Sequence, residues 1–159
     1  MRRILLSMQP FWFEKVLSGE KIYEYRNRFP NEEIEAYIYV SNPVKAIAGI
    51  LYLGPRIEVK SWKDEYSQDR PVRERIESYI DRNKYAMPIL AAQRIREIKV
   101  EEMKNTVSKF IIPESYYYLE NYKNIEEAIM SRTEFVGDKL LMDEGRFEDK
   151  NEICRNYRL

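Results

Sequence analysis

The chain has 159 residues, with 27 Lys+Arg against 27 Asp+Glu, a formal net charge of zero, no histidine and a single cysteine. That length supports one domain with a substantial core, and the missing histidine excludes Ser-His-Asp and Cys-His nucleophile systems, histidine metal ligands and an imidazole pH switch. The lone cysteine forms no intrachain disulfide and fits a reducing cytoplasm, while balanced charge disfavours broad electrostatic coating of nucleic acid and leaves room for a local basic site.

Met1-Arg2-Arg3 is basic and Ile4-Leu5-Leu6 apolar, but Ser7, Gln9 and Pro10 cut that run far short of a signal or membrane segment, so a soluble, unexported protein is expected. Residues 3–8 read as a short buried strand. Pro10 opens a helix with a bulky apolar side in which Trp12 and Phe13 are expected to be core, and Gly19 suits its left-handed cap. Ile22 to Arg26 reads as a strand with Tyr23 and Tyr25 on one face and Ile22, Glu24 and Arg26 on the other. Residues 35–41 alternate as a further strand, Asn42-Pro43 marks a turn, and Val44 to Leu53 is an apolar strand that Gly49 interrupts with a bulge or a close approach. A short strand over 56–60 is followed by two helices within 61–82. Asp69 caps the second, Pro71 sits in its first turn, and Val72, Ile76, Tyr79 and Ile80 form its stripe. Tyr85 to Val100 reads as strand bent near Gln93-Arg94, and Glu101 to Asn105 as a short helix or turn. Asn124 and Glu127 resemble a capping box for a helix through Arg132, and a strand over 139–142 precedes the tail. Nine of the residues from Asp143 to Leu159 are charged, which predicts partial disorder there. The strands dominate the first 112 residues, so the fold class is α+β, a small twisted or closed β-barrel with helices packed around it.

No GxGxxG, phosphate loop, calcium loop, zinc-ligand set or helix-turn-helix pattern is present. One ordered series of motifs is informative. Ile4 to Pro10, Glu14-Lys15-Val16-Leu17-Ser18-Gly19-Glu20-Lys21 and Tyr23-Glu24-Tyr25-Arg26 through Phe29-Pro30 resemble the start of ASCH domains, of the PUA-like superfamily. Tyr37 to Pro43, Val44 to Gly49 and Pro113 to Tyr118 extend the resemblance over roughly residues 3 to 120. It implies a PUA-like small mixed β-barrel over 1–122, with 123–159 as a C-terminal helix and charged extension. It also implies a cleft for RNA or a modified nucleoside, and no cofactor or metal. One branch of the family deacetylates acetylcytidine with a lysine followed three residues later by threonine; Lys21 matches that lysine, and Glu24 stands where that branch has threonine.

The resulting candidate site is a polar cleft centred on Lys21, Glu24 and Arg26. Arginine offers a planar fork for phosphate or a base edge, and Glu24 an acceptor for an exocyclic amine or a partner orienting Lys21. Ser7, Ser41 and Ser115 are secondary contacts, and Tyr116 is a stacking face. Trp62 covers the cleft or packs a helix onto the barrel. Arg94, Arg96 and Lys99 form a basic strand, a solvated face or a phosphate track. The leading expectation is an RNA- or nucleoside-binding module. The alternatives are a metal-independent amidohydrolase or ribonuclease using Lys21 and Glu24, or a regulatory protein whose charged tail holds a partner.

Overall fold

The computed structural model describes residues 1–157. The chain runs through β1 (Arg2–Met8), α1 (Pro10–Leu17), β2 (Tyr23–Arg26), β3 (Ile34–Val40), β4 (Ala46–Leu53), β5 (Ile57–Glu58), α2 (Val59–Glu65) and α3 (Arg70–Ile80). It continues through β6 (Tyr85–Lys99), α4 (Val100–Thr106), β7 (Tyr116–Tyr118), α5 (Lys123–Arg132) and β8 (Phe135–Leu141), ending in 3-10 turns at Glu144–Glu148 and Lys150–Glu152. The strands form one curled mixed sheet in the order β2-β6-β4-β3-β1-β7, with β5 and β8 also paired to β6. Only β1 and β3 run parallel among the described pairs, from Arg2 opposite Ile34 to Met8 opposite Val40, and α1 and β2 supply the crossover that a parallel pair requires.

Alternation along β1 explains its unbroken apolar run. Ile4, Leu6 and Met8 face a core beneath α1, α2 and α3, while Leu5 joins a second core of Tyr37, Ile50, Ile98, Met103 and Ile129 under α4 and α5. A strand covered on both faces has no polar side to show. The 15-residue β6 bends the sheet: its first residues pair with β2 and β5, its later ones with β4 and β8. Register shifts between Ala92 and Arg94, and opposite the interval from Ile47 to Gly49, mark the bends, as bulges do. The result is a half-barrel with five α-helices packed around it, in agreement with the expected architecture.

Gly49 allows α1 to dock. A Cβ there would lie 2.8 Å from the Phe13 ring and 3.0 Å from the Gln93 carbonyl, so only hydrogen fits. Gly19 follows α1 at φ +82°, a conformation L side chains rarely adopt. The Asp69 carboxylate accepts from Val72 N and caps α3 as expected. In two places the local signals mislead. Strand β5 is only two residues long because α2 begins at Val59, and α5 starts at Lys123 with Tyr122 as its cap and no capping box.

The tail corrects the expectation of disorder for its described part, through Tyr157. Ile153 and Cys154 are 3% and 1% exposed and belong to the core under α3. The Arg75 guanidinium on α3 donates to the carbonyls of Lys150 and Ile153, and Cys154 N donates to the Tyr25 hydroxyl at 2.7 Å. The tail's charges are also paired: Arg146 and Arg155 with Glu152 within it, and Lys150 with Asp69 at the start of α3. Composition marks this segment as polar because it does not show which three or four side chains point inward.

Candidate functional site

The half-barrel leaves a seam between its end strands, β2 on one side and β1 with β7 on the other. Among the described residues no backbone ladder closes it; the Arg26 side chain spans it. From β2 its Nε donates to Glu24 Oε1 at 3.1 Å, Nη2 to the Ser7 carbonyl at 2.7 Å, and Nη1 to Ser115 Oγ at 3.4 Å. The backbone N–H of Ser7 in turn donates to the Ser115 carbonyl. The guanidinium fork thus holds Glu24, the end of β1 and the approach to β7 in one arrangement.

Two adjoining cavities of about 310 and 450 Å³ open along this seam, sharing walls at Trp12, Glu24 and Tyr25. The first is completed by Lys21 and by the C-terminal part of α3 with Tyr79, Arg82 and Asn83. The second is completed by Ser7, Gln9, Arg26, Ser41 and Glu114. Five of the seven residues singled out in the sequence therefore line one cleft: Lys21, Glu24, Arg26, Ser7 and Ser41. Ser115 touches it through its bond to Arg26. Tyr116 lies elsewhere, lining a neighbouring depression with Arg56 and Tyr85.

Lys21 is 4% exposed in the short connection between α1 and β2. Its Nζ donates to the Tyr23 carbonyl and lies 4.8, 5.3 and 5.9 Å from the ring centres of Tyr25, Trp12 and Tyr157. Burial lowers its pKa from the ordinary lysine range; Glu24 opposes that shift and Arg26 reinforces it. Glu24 is 6% exposed, and only one of its oxygens is used: Oε2 is buried and accepts no hydrogen bond from any described residue. A buried carboxylate oxygen without a donor is costly.

The structure adds Trp12, Tyr25 and Tyr79 to the site. Trp12 was expected in the core with Phe13, but it is half-buried and lines both cavities, while Phe13 alone is core. Helical periodicity places both on the apolar side of α1; it does not reveal that the side ends at a cleft. Trp62 packs α2 onto the core, with its ring centre 5.1 Å from that of Tyr23. The basic strand is ion-paired: Arg94 with Glu14, Arg96 with Glu102 and Glu134, and Lys99 with Glu97. Among the described residues no helix is long and apolar enough to cross a membrane.

No family model matches the chain. It is 26% identical over 125 residues to an ASCH domain-containing ribonuclease of Zymomonas mobilis, a match covering 74% of this chain and 84% of that protein. The crystal structure of ASCH from Zymomonas mobilis superposes with a TM-score of 0.61 at 24% identity, covering 86% of this chain and 99% of that one. A tyrosine-to-phenylalanine variant of it superposes with a TM-score of 0.60 at 23% identity, covering 84% and 100%.

Proposed function

We propose that this chain, which matches ASCH proteins in both sequence and fold, binds RNA in the seam cleft, with Glu24 as the acceptor that selects the nucleotide. The observation that carries this reading is the buried, donorless Oε2 of Glu24 between aromatic faces. An exocyclic amine or a ribose 2′-hydroxyl supplies the missing donor, and Trp12 or Tyr25 offers a face for the base. The relative's description as a ribonuclease supports RNA as the ligand class. Arg26 is a positioning residue here, since its three bonds to Glu24, Ser7 and Ser115 hold the acceptor in place.

Binding of a fluorescein-labelled single-stranded RNA, followed by anisotropy, tests the reading. Glu24→Gln replaces an acceptor by an amide and is expected to weaken binding about tenfold or more, the cost of about 1.5 kcal/mol or more for losing a hydrogen bond to a charged group. Parent-like affinity in Glu24→Gln and in Lys21→Met overturns it.

The lowered pKa of Lys21 favours a second reading, cleavage of the bound RNA. A neutral amine can take the 2′-hydroxyl proton as that oxygen bonds to phosphorus, and the ammonium so formed, or a water, gives a proton to the departing 5′-oxygen, leaving a 2′,3′-cyclic phosphate. Cleaved RNA from the parent and none from Lys21→Met supports this reading, as does acetate release from acetylcytidine for its amidohydrolase counterpart. Intact substrates after long incubation with the parent count against both.

A further inference from the structure

A further depression of about 550 Å³ neighbours the cleft, walled by Arg28, Arg56, Lys84, Tyr85 and Tyr116. No carboxylate lines it, and none of its three cations is ion-paired among the described residues, although the whole chain is charge-neutral. Arg2, Arg70, Arg73, Arg96, Arg132 and Lys150, by contrast, each hold a carboxylate. Arg56 is pinned in place, its Nη1 donating to the Phe29 carbonyl at 2.6 Å and its guanidinium lying 4.1 Å from the Tyr85 ring centre. Lys84 approaches the same ring at 5.5 Å. The charges acting on the Tyr116 phenol include Arg56, Arg2 and Arg28, so these cations share one field.

Three stretches of chain cross from the seam cleft to this depression. Arg26 lines the cleft and Arg28 the depression; Asn83 and Lys84 divide in the same way; Ser115 holds Arg26 while Tyr116 faces the depression. The first two stretches are tied together where they cross, Lys84 N donating to Asn27 Oδ1 at 3.1 Å. Two residues of chain span at most about 7 Å, the scale of one nucleotide step along a single strand.

We infer that the depression is a backbone-phosphate and stacking subsite for the nucleotide adjoining the one in the cleft, so that the ligand is a single-stranded oligonucleotide rather than a free nucleoside. This rests on the reading of the cleft given above. Arg28, Arg56 and Lys84 hold the phosphate, and Tyr116 presents a face to the sugar or base.

Anisotropy with fluorescein-labelled pentacytidylate, measured across a salt series, tests the inference on the double variant Arg28→Ala/Lys84→Ala. Both side chains are exposed, and the Lys84 bond to Asn27 is made by backbone, so the fold is unaffected. Affinity is expected to fall roughly tenfold, with the slope of log K against log salt shallower by about 1.4, two charges at about 0.7 each. The variant Arg94→Ala/Lys99→Ala removes the same charge from the ion-paired strand and is expected to bind like the parent. Parent-like affinity and slope in Arg28→Ala/Lys84→Ala, or equal losses in both double variants, overturn the subsite. If Glu24→Gln loses binding while Arg28→Ala/Lys84→Ala does not, the cleft stands and the subsite falls; a parent that binds no pentacytidylate overturns the subsite, and one that binds neither it nor cytidine overturns both.

Discussion

Lys21 and Glu24 are opposite charges placed on opposite terms. Glu24 is compensated by a guanidinium, whereas Lys21 has a carbonyl and three rings around it and is pushed toward the neutral amine by burial. A folded-state pKa below the unfolded one means that the folded protein binds fewer protons in the window between them, so the Lys21 contribution to stability rises with pH up to the ordinary value of 10.5. Below that window the amine must be charged while buried, at a cost that an apolar side chain avoids. Lys21→Met is therefore expected to raise the thermal midpoint at neutral pH by about 2–4 °C while weakening RNA binding; a lowered midpoint contradicts this account. Arg26→Ala leaves Glu24 buried without a cation and is expected to cost about 3 kcal/mol in urea denaturation, with much of it recovered in Arg26→Ala/Glu24→Leu. Arg26→Lys keeps the charge but not the fork that reaches Glu24, Ser7 and Ser115 together, so intermediate stability is expected. The residue types and positions of this trio were legible in the sequence because they fall within ordered motifs. Their division of labour was not: the sequence presents Arg26 as a ligand fork, and the fold turns three of its nitrogens inward.

Elements were legible where local pattern and burial agree. β1 reads as buried strand because both its faces are covered, α3 because its cap, first-turn proline and stripe coincide, and the β4 bulge because Gly49 stands alone in an apolar run. Trp12 was misplaced because period alone does not separate a core aromatic from one at the lip of a cleft; its neighbour Gly49 across α1 fixes only Phe13. The capping-box pattern at Asn124 failed because Leu119 and Ile125, both buried, set where α5 starts. The docking of α1 on β4 gives the element-scale prediction. Gly49→Ala drives a methyl into the Phe13 ring and the Gln93 carbonyl and is expected to cost about 1–3 kcal/mol. Adding Phe13→Leu is expected to return part of that loss, and Trp12 fluorescence should shift in Gly49→Ala because α1 carries the cleft wall with it. Additive losses in the double variant would rule out the contact as the cause.

Across the molecule, the tail binds the two sides of the cleft's base together. Cys154 N holds the Tyr25 hydroxyl, the Tyr79 hydroxyl donates to the Arg155 carbonyl, the Arg146 Nη1 donates to the Gly19 carbonyl, and the Tyr157 ring meets Trp12. The same packing removes acidic protons from water. Burial pushes the Cys154 thiol from 9.0 up to about 12, and the Tyr23 and Tyr157 phenols from 10.0 up to about 12. A raised folded-state pKa gives stability that is fully present below the unfolded value and lost as pH rises through the folded one, because above the unfolded value only the unfolded chain releases the proton. Cys154 therefore opens the alkaline loss at about pH 9, and Tyr23 and Tyr157 follow from about pH 10, all three completing near pH 12. Cys154→Ala removes the first of these and keeps the other two. Its thermal midpoint is expected to be lower than the parent's at pH 7, since a buried side chain is trimmed. The gap between the two proteins should stay constant below pH 9 and narrow above it. Tyrosinate absorbance in the folded parent should stay low for these buried phenols until the protein unfolds. A gap that holds unchanged to pH 11 would show that the thiol is not screened from solvent, and with it that the tail does not seal the core beneath Lys21.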